Sequence, residues 1–474
     1  MQLKKRKDGR VCRALSAISA TLLVATAASC ENSAVAQDFY GLDKSGRDNF
    51  GPGIAYSEFD SALLIYQEAG GRVQAIEPTA NLAVHGARGQ QLTLGAIADA
   101  VSGATPNGAV PSDHTQAFVT PLKAQGSSTT VTSASGGSTV IQLPPTPGQI
   151  ASAALGRQYT TAPNTLPMDK GFRDHRAALS AGWSQPLGWV SEVGGGVGYS
   201  RESDYQSITA NARAAQNFNG DNTTISLDLN GEFDSSFPFG GVPTPLSAMN
   251  AQFKPVTTRH KTQLGFVLGL TEVVTRNWLM SLNYAYDSQK GYETDPYRVI
   301  SVVDPTSGEP VSTLYESRPE QRQTQSVFWE NKLAVGPTMT DLSFRYFKDN
   351  WGISSQTVEA SERINLARAW YVEPNVRFYH QTAANFYQAY LVSNMALPAY
   401  ASSDTRLSRF DALTYGMKIG FRVSGRSELY IRGDYYTQSG DGHPANAIGQ
   451  LRNQDLFAGT KAAIVQVGYQ WKFH

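Results

Sequence analysis

Sixteen stretches of this chain alternate apolar with polar residues, and the connections between them are sorted by length. The stretches lie near residues 55–67, 72–84, 90–101, 171–185, 188–202, 205–218, 223–234, 258–274, 277–290, 322–335, 338–351, 353–366, 369–383, 410–424, 427–439 and 461–473. Counted in chain order, the even-numbered connections are all short: HGARG, PL, the Asn-Gly of NFNGDN, TRN, GP, ARA and SGR. Every long one, at 102–170, 235–257, 291–321, 384–409 and 440–460, is odd-numbered. Successive side chains of a strand face opposite sides, so each stretch has one apolar and one wet face. A soluble β-sandwich has no reason to sort its loops this way. An up-and-down barrel that begins and ends on one side does, with tight turns at one mouth and long loops at the other. The predicted fold is all-β: a transmembrane antiparallel barrel of about 16 strands, with short periplasmic turns and long extracellular loops.

The last stretch carries the pattern most plainly. Val465, Val467, Tyr469, Trp471 and Phe473 share one face, and Gln466, Gly468, Gln470 and Lys472 share the other. Gln466, Gly468, Tyr469, Trp471 and Phe473 together resemble the C-terminal signal by which outer-membrane barrels are inserted. That signal usually ends on its aromatic, and here His474 follows it.

The same parity assigns an inner wall. Trp278, Met280, Leu282, Tyr284 and Tyr286 share a face, as do Leu413, Tyr415, Met417, Ile419 and Phe421. A charge turned toward lipid costs about 2–4 kcal/mol at the midplane. Asp228, Glu232, Asp287, Arg345, Glu373, Arg377, Lys418, Arg422, Glu428, Arg432 and Asp434 are therefore expected to line the lumen. Both signs are present, so two arrangements stand: charges that pair across neighbouring strands, or a constriction with a transverse field over a pore.

Composition sets the compartment. Residues 1–36 carry a basic start (MQLKKRKDGRVCR), a short apolar stretch and a small-x-small site before Gln37, as in a secretory signal peptide. A lipoprotein signal ending at Cys30 is the competing expectation. Cys12 and Cys30 are the only cysteines, so the mature chain would have no disulfide, thiolate metal site or covalent haem, and no cofactor of its own is expected. With 34 basic against 38 acidic residues after the signal, nothing points to nucleic acid. Residues 37–54 form a periplasmic lead-in, and 55–474 the barrel. Within it, 102–170 is a low-complexity, flexible extracellular insertion, expected to fold partly into the lumen and narrow it.

Motifs for chemistry are sparse. The seven histidines are scattered without the spacing of metal ligands, so no metal site is expected. SGDGH and DKSGRDN lack the spacing of a calcium loop. Gly194, Gly195 and Gly196 suggest a bend in the fifth strand or close packing of a loop against the wall. His380 with Ser402 or Asp404 is the one neighbourhood that could serve a hydrolase, and the expectation is that the chain is not an enzyme.

The blocks SGATPNGA, DPYRVISVVD, LYESRPEQR, YFKDNWGI, YHQTAANFY, LPAYASSDTRL and the closing IVQVGYQWKF resemble the signatures of the bacterial domain-of-unknown-function family 3570, from about Tyr56 to Phe473. The resemblance implies an uncharacterised barrel in the outer membrane of a Gram-negative bacterium, without catalytic or ligand residues to carry over. The company that family keeps in genomes hints at a redox partner at the cell surface. A porin-like channel or conduit for small polar solutes is the leading expectation. A barrel that houses or docks a periplasmic or surface redox protein is the second, and an outer-membrane hydrolase the third. Outer-membrane lipid and the barrel-assembly machinery are the expected partners in every case.

Overall fold

The computed structural model describes residues 54–121, 131–132, 138–139, 156–188, 191–250 and 254–473. The expected signal peptide, Cys30, the expected lead-in before Ile54, most of 122–155 and His474 lie outside the described residues.

Sixteen strands close into one antiparallel barrel in sequential order. They are β1 (Ile54–Glu68), β2 (Val73–Gly86), β3 (Gln91–Pro106), β4 (Met168–Leu187), β5 (Ser191–Arg201), β6 (Tyr205–Phe218), β7 (Thr223–Ser236) and β8 (Arg259–Thr275). The second half runs through β9 (Trp278–Gly291), β10 (Gln321–Val335), β11 (Thr338–Asp349), β12 (Ser354–Asn365), β13 (Trp370–Gln381), β14 (Phe410–Ser424), β15 (Ser427–Gly440) and β16 (Thr460–Phe473). The seam joins β1 to β16, with Phe59 opposite Trp471 and Leu63 opposite Val467. Closure leaves the barrel itself without an edge strand.

Each strand has at least one large apolar side chain left exposed, and within a strand these share one parity, except at Ile54, which precedes a register shift in β1. Val197 is 63% and Leu264 64% exposed, and Leu63, Ile76, Leu282, Val376, Leu413, Ile431 and Val467 continue the belt around the ring. Trp183, Trp278, Trp370 and Trp471 are exposed on the same outer face near the short-turn ends of their strands. An apolar belt with an aromatic girdle at its margin is the surface a barrel presents to a bilayer.

The turns follow their local chemistry. Between β6 and β7, Asn219, Gly220 and Asp221 have φ of 53°, 64° and 67°. This left-handed region is open to glycine and tolerated by Asn and Asp, and it reverses the chain without disturbing the pairing on either side. The triple glycine of β5 is not a bend. β5 pairs with β4 and β6 without a register shift. Instead the glycines make room for neighbours: a Cβ on Gly196 would lie 2.6 Å from Asn211 Oδ1. On Gly198 it would lie 2.5 Å from Thr209 Oγ1.

The inner wall is lopsided. Opposite in parity to exposed Leu179, Val197 and Ile208, the mid-height residues of β4–β6 are Ser180, Gly182, Gly196, Gly198, Thr209 and Asn211, all uncharged and none larger than Asn. Across the ring, β11–β15 bring in Arg345, Glu359, Arg363, Tyr371, Arg377, Lys418, Tyr430 and Arg432.

Candidate functional site

The eleven charged residues assigned to the lumen by parity fall on the face opposite the apolar belt. Most are held by neighbours on the wall. Asp228 lies 3.3 Å from Arg213. Glu232 accepts from Ser207 Oγ at 2.7 Å, and Asp287 accepts from Asn230 at 3.2 Å and Gln263 at 3.3 Å. Arg432 and Asp434 pair at 2.7 Å, and Glu373 stands opposite Lys418 in the register.

Toward the short-turn mouth these side chains form a patch around Tyr371, which is 1% exposed. Its hydroxyl donates to Glu428 Oε1 at 2.5 Å. The Arg363 guanidinium sits 3.5 Å above its ring centroid and 3.4 Å from Glu428. Arg422 is 4.0 Å from the same carboxylate. Lys418 Nζ lies 4.5 Å over the Tyr430 ring and 5.6 Å over Tyr371. Tyr371 and Tyr430 can lie flat on the wall because Gly420 and Gly468 stand beneath them: a Cβ at either would come within 2.2 Å of the ring. Arg345 is set apart. In the register it stands between Phe328 and Thr357, whereas Arg377 on β13 stands opposite Glu359 of β12.

The opposite mouth is spanned by a packed lid. The connection 107–167 leaves the ring between β3 and β4, 292–320 between β9 and β10, and 441–459 between β15 and β16. Around the sixteen strands these exits are six, six and four steps apart, so residues where all three meet lie over the middle of the opening. They meet at Gln450, whose side-chain amide donates to Pro111 O at 3.1 Å and to Gly308 O at 3.4 Å. Gly308 has φ +74°, and a Cβ there would lie 2.2 Å from Ile448 O, so glycine is required for this approach. Val110, Val303, Ala447, Leu451 and Leu456, drawn from the same three loops, form a shared apolar core. The connection 382–409, between β13 and β14, adds Leu391 and Ala401 to a second cluster with Ile300, Val302 and Leu314. The described ends of the 102–170 insertion join the lid, but the loop 292–320 lies at its centre.

A buried charge network locks the lid. Asp404, 1% exposed, receives Arg318 Nη2 at 2.9 Å, Arg406 Nη2 at 2.5 Å and Arg298 Nε at 3.4 Å. Glu316, 0% exposed, pairs with Arg318 at 2.7 Å and accepts from Ser402 Oγ at 2.5 Å and Asp295 N at 2.8 Å. Asp295 closes the set at 3.5 Å from Arg406 and 3.7 Å from Arg298. Three guanidiniums thus face three carboxylates, and backbone bonds between Ser317 and Ala401 tie the two loops at 2.9 and 3.0 Å. Burial would push the Asp404 carboxyl up, but Arg298, Arg406 and Arg318 outweigh it and hold it well below the usual carboxylate range. Burial leaves Glu316 raised despite Arg318.

Parity reasoning missed this network because loops have no period. The signal that could have found it was present in the quoted blocks: DPYRV carries Asp295 and Arg298, YESRPEQR carries Glu316 and Arg318, and SSDTRL carries Ser402, Asp404 and Arg406. His380 does not join Ser402 or Asp404. It sits on the outer parity of β13 with Nδ1 2.7 Å from Asp411 Oδ1, while Ser402 and Asp404 are engaged inside the lid.

The barrel is similar to solved structures of bacterial receptors and porins at very low identity. A ferric enterobactin receptor (PfeA) mutant from Pseudomonas aeruginosa is 10% identical, with 87% of this chain and 59% of that chain covered and a TM-score of 0.40. The siderophore receptor PirA from Acinetobacter baumannii is 8% identical, with 83% and 54% covered and a TM-score of 0.38. Pseudomonas aeruginosa OccK2 (OpdF), solved with glucuronate, is 8% identical, with 88% and 98% covered and a TM-score of 0.36. The chain thus spans less than two thirds of the length of the siderophore receptors it matches. No curated protein matches it. A family model does, over residues 22–471, and the chain belongs to that family, described as a protein of unknown function (DUF3570).

Proposed function

We propose that this protein is an outer-membrane barrel of a Gram-negative bacterium and acts as a porin-like conduit for small polar solutes, held shut at its long-loop mouth by the lid. The observation that carries this is the joint arrangement of wall and lid. A sixteen-strand barrel is wide enough to leave water in its lumen. Here the inner face is lined with ionic and small polar side chains, and the obstruction consists of loops packed over the opening. Loops joined by a polar network can separate as units, because charged groups released from it regain hydration.

The test is solute efflux from liposomes loaded with small sugars and small organic anions. The native chain should leak slowly and Asp404→Asn several-fold faster. Equal impermeability of both proteins, each shown to be folded, would overturn the conduit.

A further inference from the structure

Where the lid loops meet, the structure also gathers a set of metal-ligating atoms. Asp113 and His114 belong to the loop after β3, and Glu309 to the loop between β9 and β10. One ligand atom from each lies within 4.8 Å of the other two. His114 Nδ1 is 4.0 Å from Glu309 Oε2 and closer still to the Asp113 carboxylate.

Glu309 is positioned by the opposing loop. Ser112 Oγ donates to its Oε2 at 2.6 Å, and Asp113 N donates to its Oε1 at 3.3 Å. Ser112 Oγ in turn accepts from His114 N at 3.0 Å, so the residue that holds the carboxylate also fixes the turn that presents the imidazole. The His114 side chain is 79% exposed, so an ion can reach the cluster from outside.

Two chemistries fit this arrangement. A protonated imidazole between two carboxylates would be a surface ion pair, worth little and screened by salt. A neutral imidazole with two carboxylates is a three-ligand set for a divalent first-row transition ion. The second uses every feature present: ligands from two loops, a carboxylate held by two donors, and an open side where water completes the coordination. Ca²⁺ and Mg²⁺ take oxygen ligands and gain nothing from the imidazole. Binding needs the ligand atoms drawn to about 2.0–2.2 Å from the ion, which a turn of the exposed His114 ring toward Glu309 supplies.

We propose that Asp113, His114 and Glu309 form a binding site for a divalent transition-metal ion that fastens the loop after β3 to the loop between β9 and β10. The site does not depend on the conduit function, because the ion can bind whether or not solutes cross the barrel.

The test is calorimetric titration of Zn²⁺ alone into the detergent-purified full chain, free of any histidine tag, at neutral pH. One ion per chain is expected. His114→Ala and Glu309→Gln should each lower affinity roughly tenfold or more, and excess Ca²⁺ should not displace Zn²⁺. Glu309→Gln keeps an oxygen for Ser112, and His114→Ala removes an exposed ring, so both variants should fold. Absence of saturable binding would overturn the proposal. So would binding that both variants leave intact, which would assign the ion to other histidines, or displacement by Ca²⁺, which would remove the role of the imidazole.

Discussion

Arg318 Nη2 lies 2.9 Å from Asp404 Oδ2, and this contact joins the loop between β9 and β10 to the loop between β13 and β14 across the barrel mouth. Asp404→Asn keeps the shape and removes the charge, leaving buried Arg318 and partly buried Arg298 and Arg406 with one carboxylate fewer. Loss of one partner from a buried network costs about 3–5 kcal/mol. Limited proteolysis should therefore cut residues 292–320 and 382–409 in the variant faster than in the native chain, while the heat-dependent gel shift of the barrel is unchanged. Equal protection would mean the network does not hold the lid.

The same residue sets an acid limit. Its folded-state pKa is depressed, so its contribution is present above the ordinary carboxylate value and is lost only as pH falls through the lower folded-state value. Loop protection should persist when pH is lowered through the range in which ordinary carboxylates protonate. Opening of the lid within that range would contradict the assignment.

Glu202, in the connection between β5 and β6, predicts the opposite slope. Burial, with Asp174 and Asp204 nearby, pushes its carboxyl from 4.5 up to about 8. The folded chain then holds a proton that the unfolded chain releases. Stability is full below the unfolded value and falls as pH rises through the folded one, by on the order of a few kcal/mol at most. Glu202→Gln should be neutral near pH 4.5 and stabilising near pH 8 in thermal unfolding. A pH-independent difference between the two proteins would count against it.

Outer and inner faces of β16 should respond differently to the same charge. Val467 stands at mid-strand between Leu63 and Ile431, on the apolar belt. Gln470 stands between Asp60 and Glu428, on the wet face. Val467→Lys should lose about 2–4 kcal/mol and fold poorly into vesicles, whereas Gln470→Lys should fold normally. Indistinguishable folding yields would sink the assignment of faces.

Gly308→Ala tests the point where three loops meet. A methyl group there would lie 2.2 Å from Ile448 O, at a φ of +74° that costs an L-residue about 1–2 kcal/mol before the clash. Hydrogen exchange should speed up at the amides of Gly308 and Gln450, which donate to Asp304 O and Ser307 O. Exchange in the barrel strands should not change.

The strands were legible in the sequence because two solvents impose a period of two on every one of them. All sixteen expected stretches correspond to a strand, and the parity that separates Val467 from Gln466 also separates the exposed belt from the wall. The lid was not legible, because its contacts join residues far apart in sequence with no repeating pattern. Gln450 and Pro111 are 339 positions apart, and Ser112 and Glu309 are 197 apart. The triple glycine of β5 was not legible: a bend or a loop packed against the wall was anticipated, whereas the side chain of Asn211 on the next strand fills the space over Gly196.

Single-channel conductance in a planar bilayer tests the central claim most directly, comparing the full chain with a variant in which residues 294–318 are replaced by a short Gly/Ser turn. A lidded aqueous barrel predicts rare or small openings for the full chain and steady, ohmic steps for the shortened one. Silence from the shortened protein, or the same steady conductance from both, would contradict it.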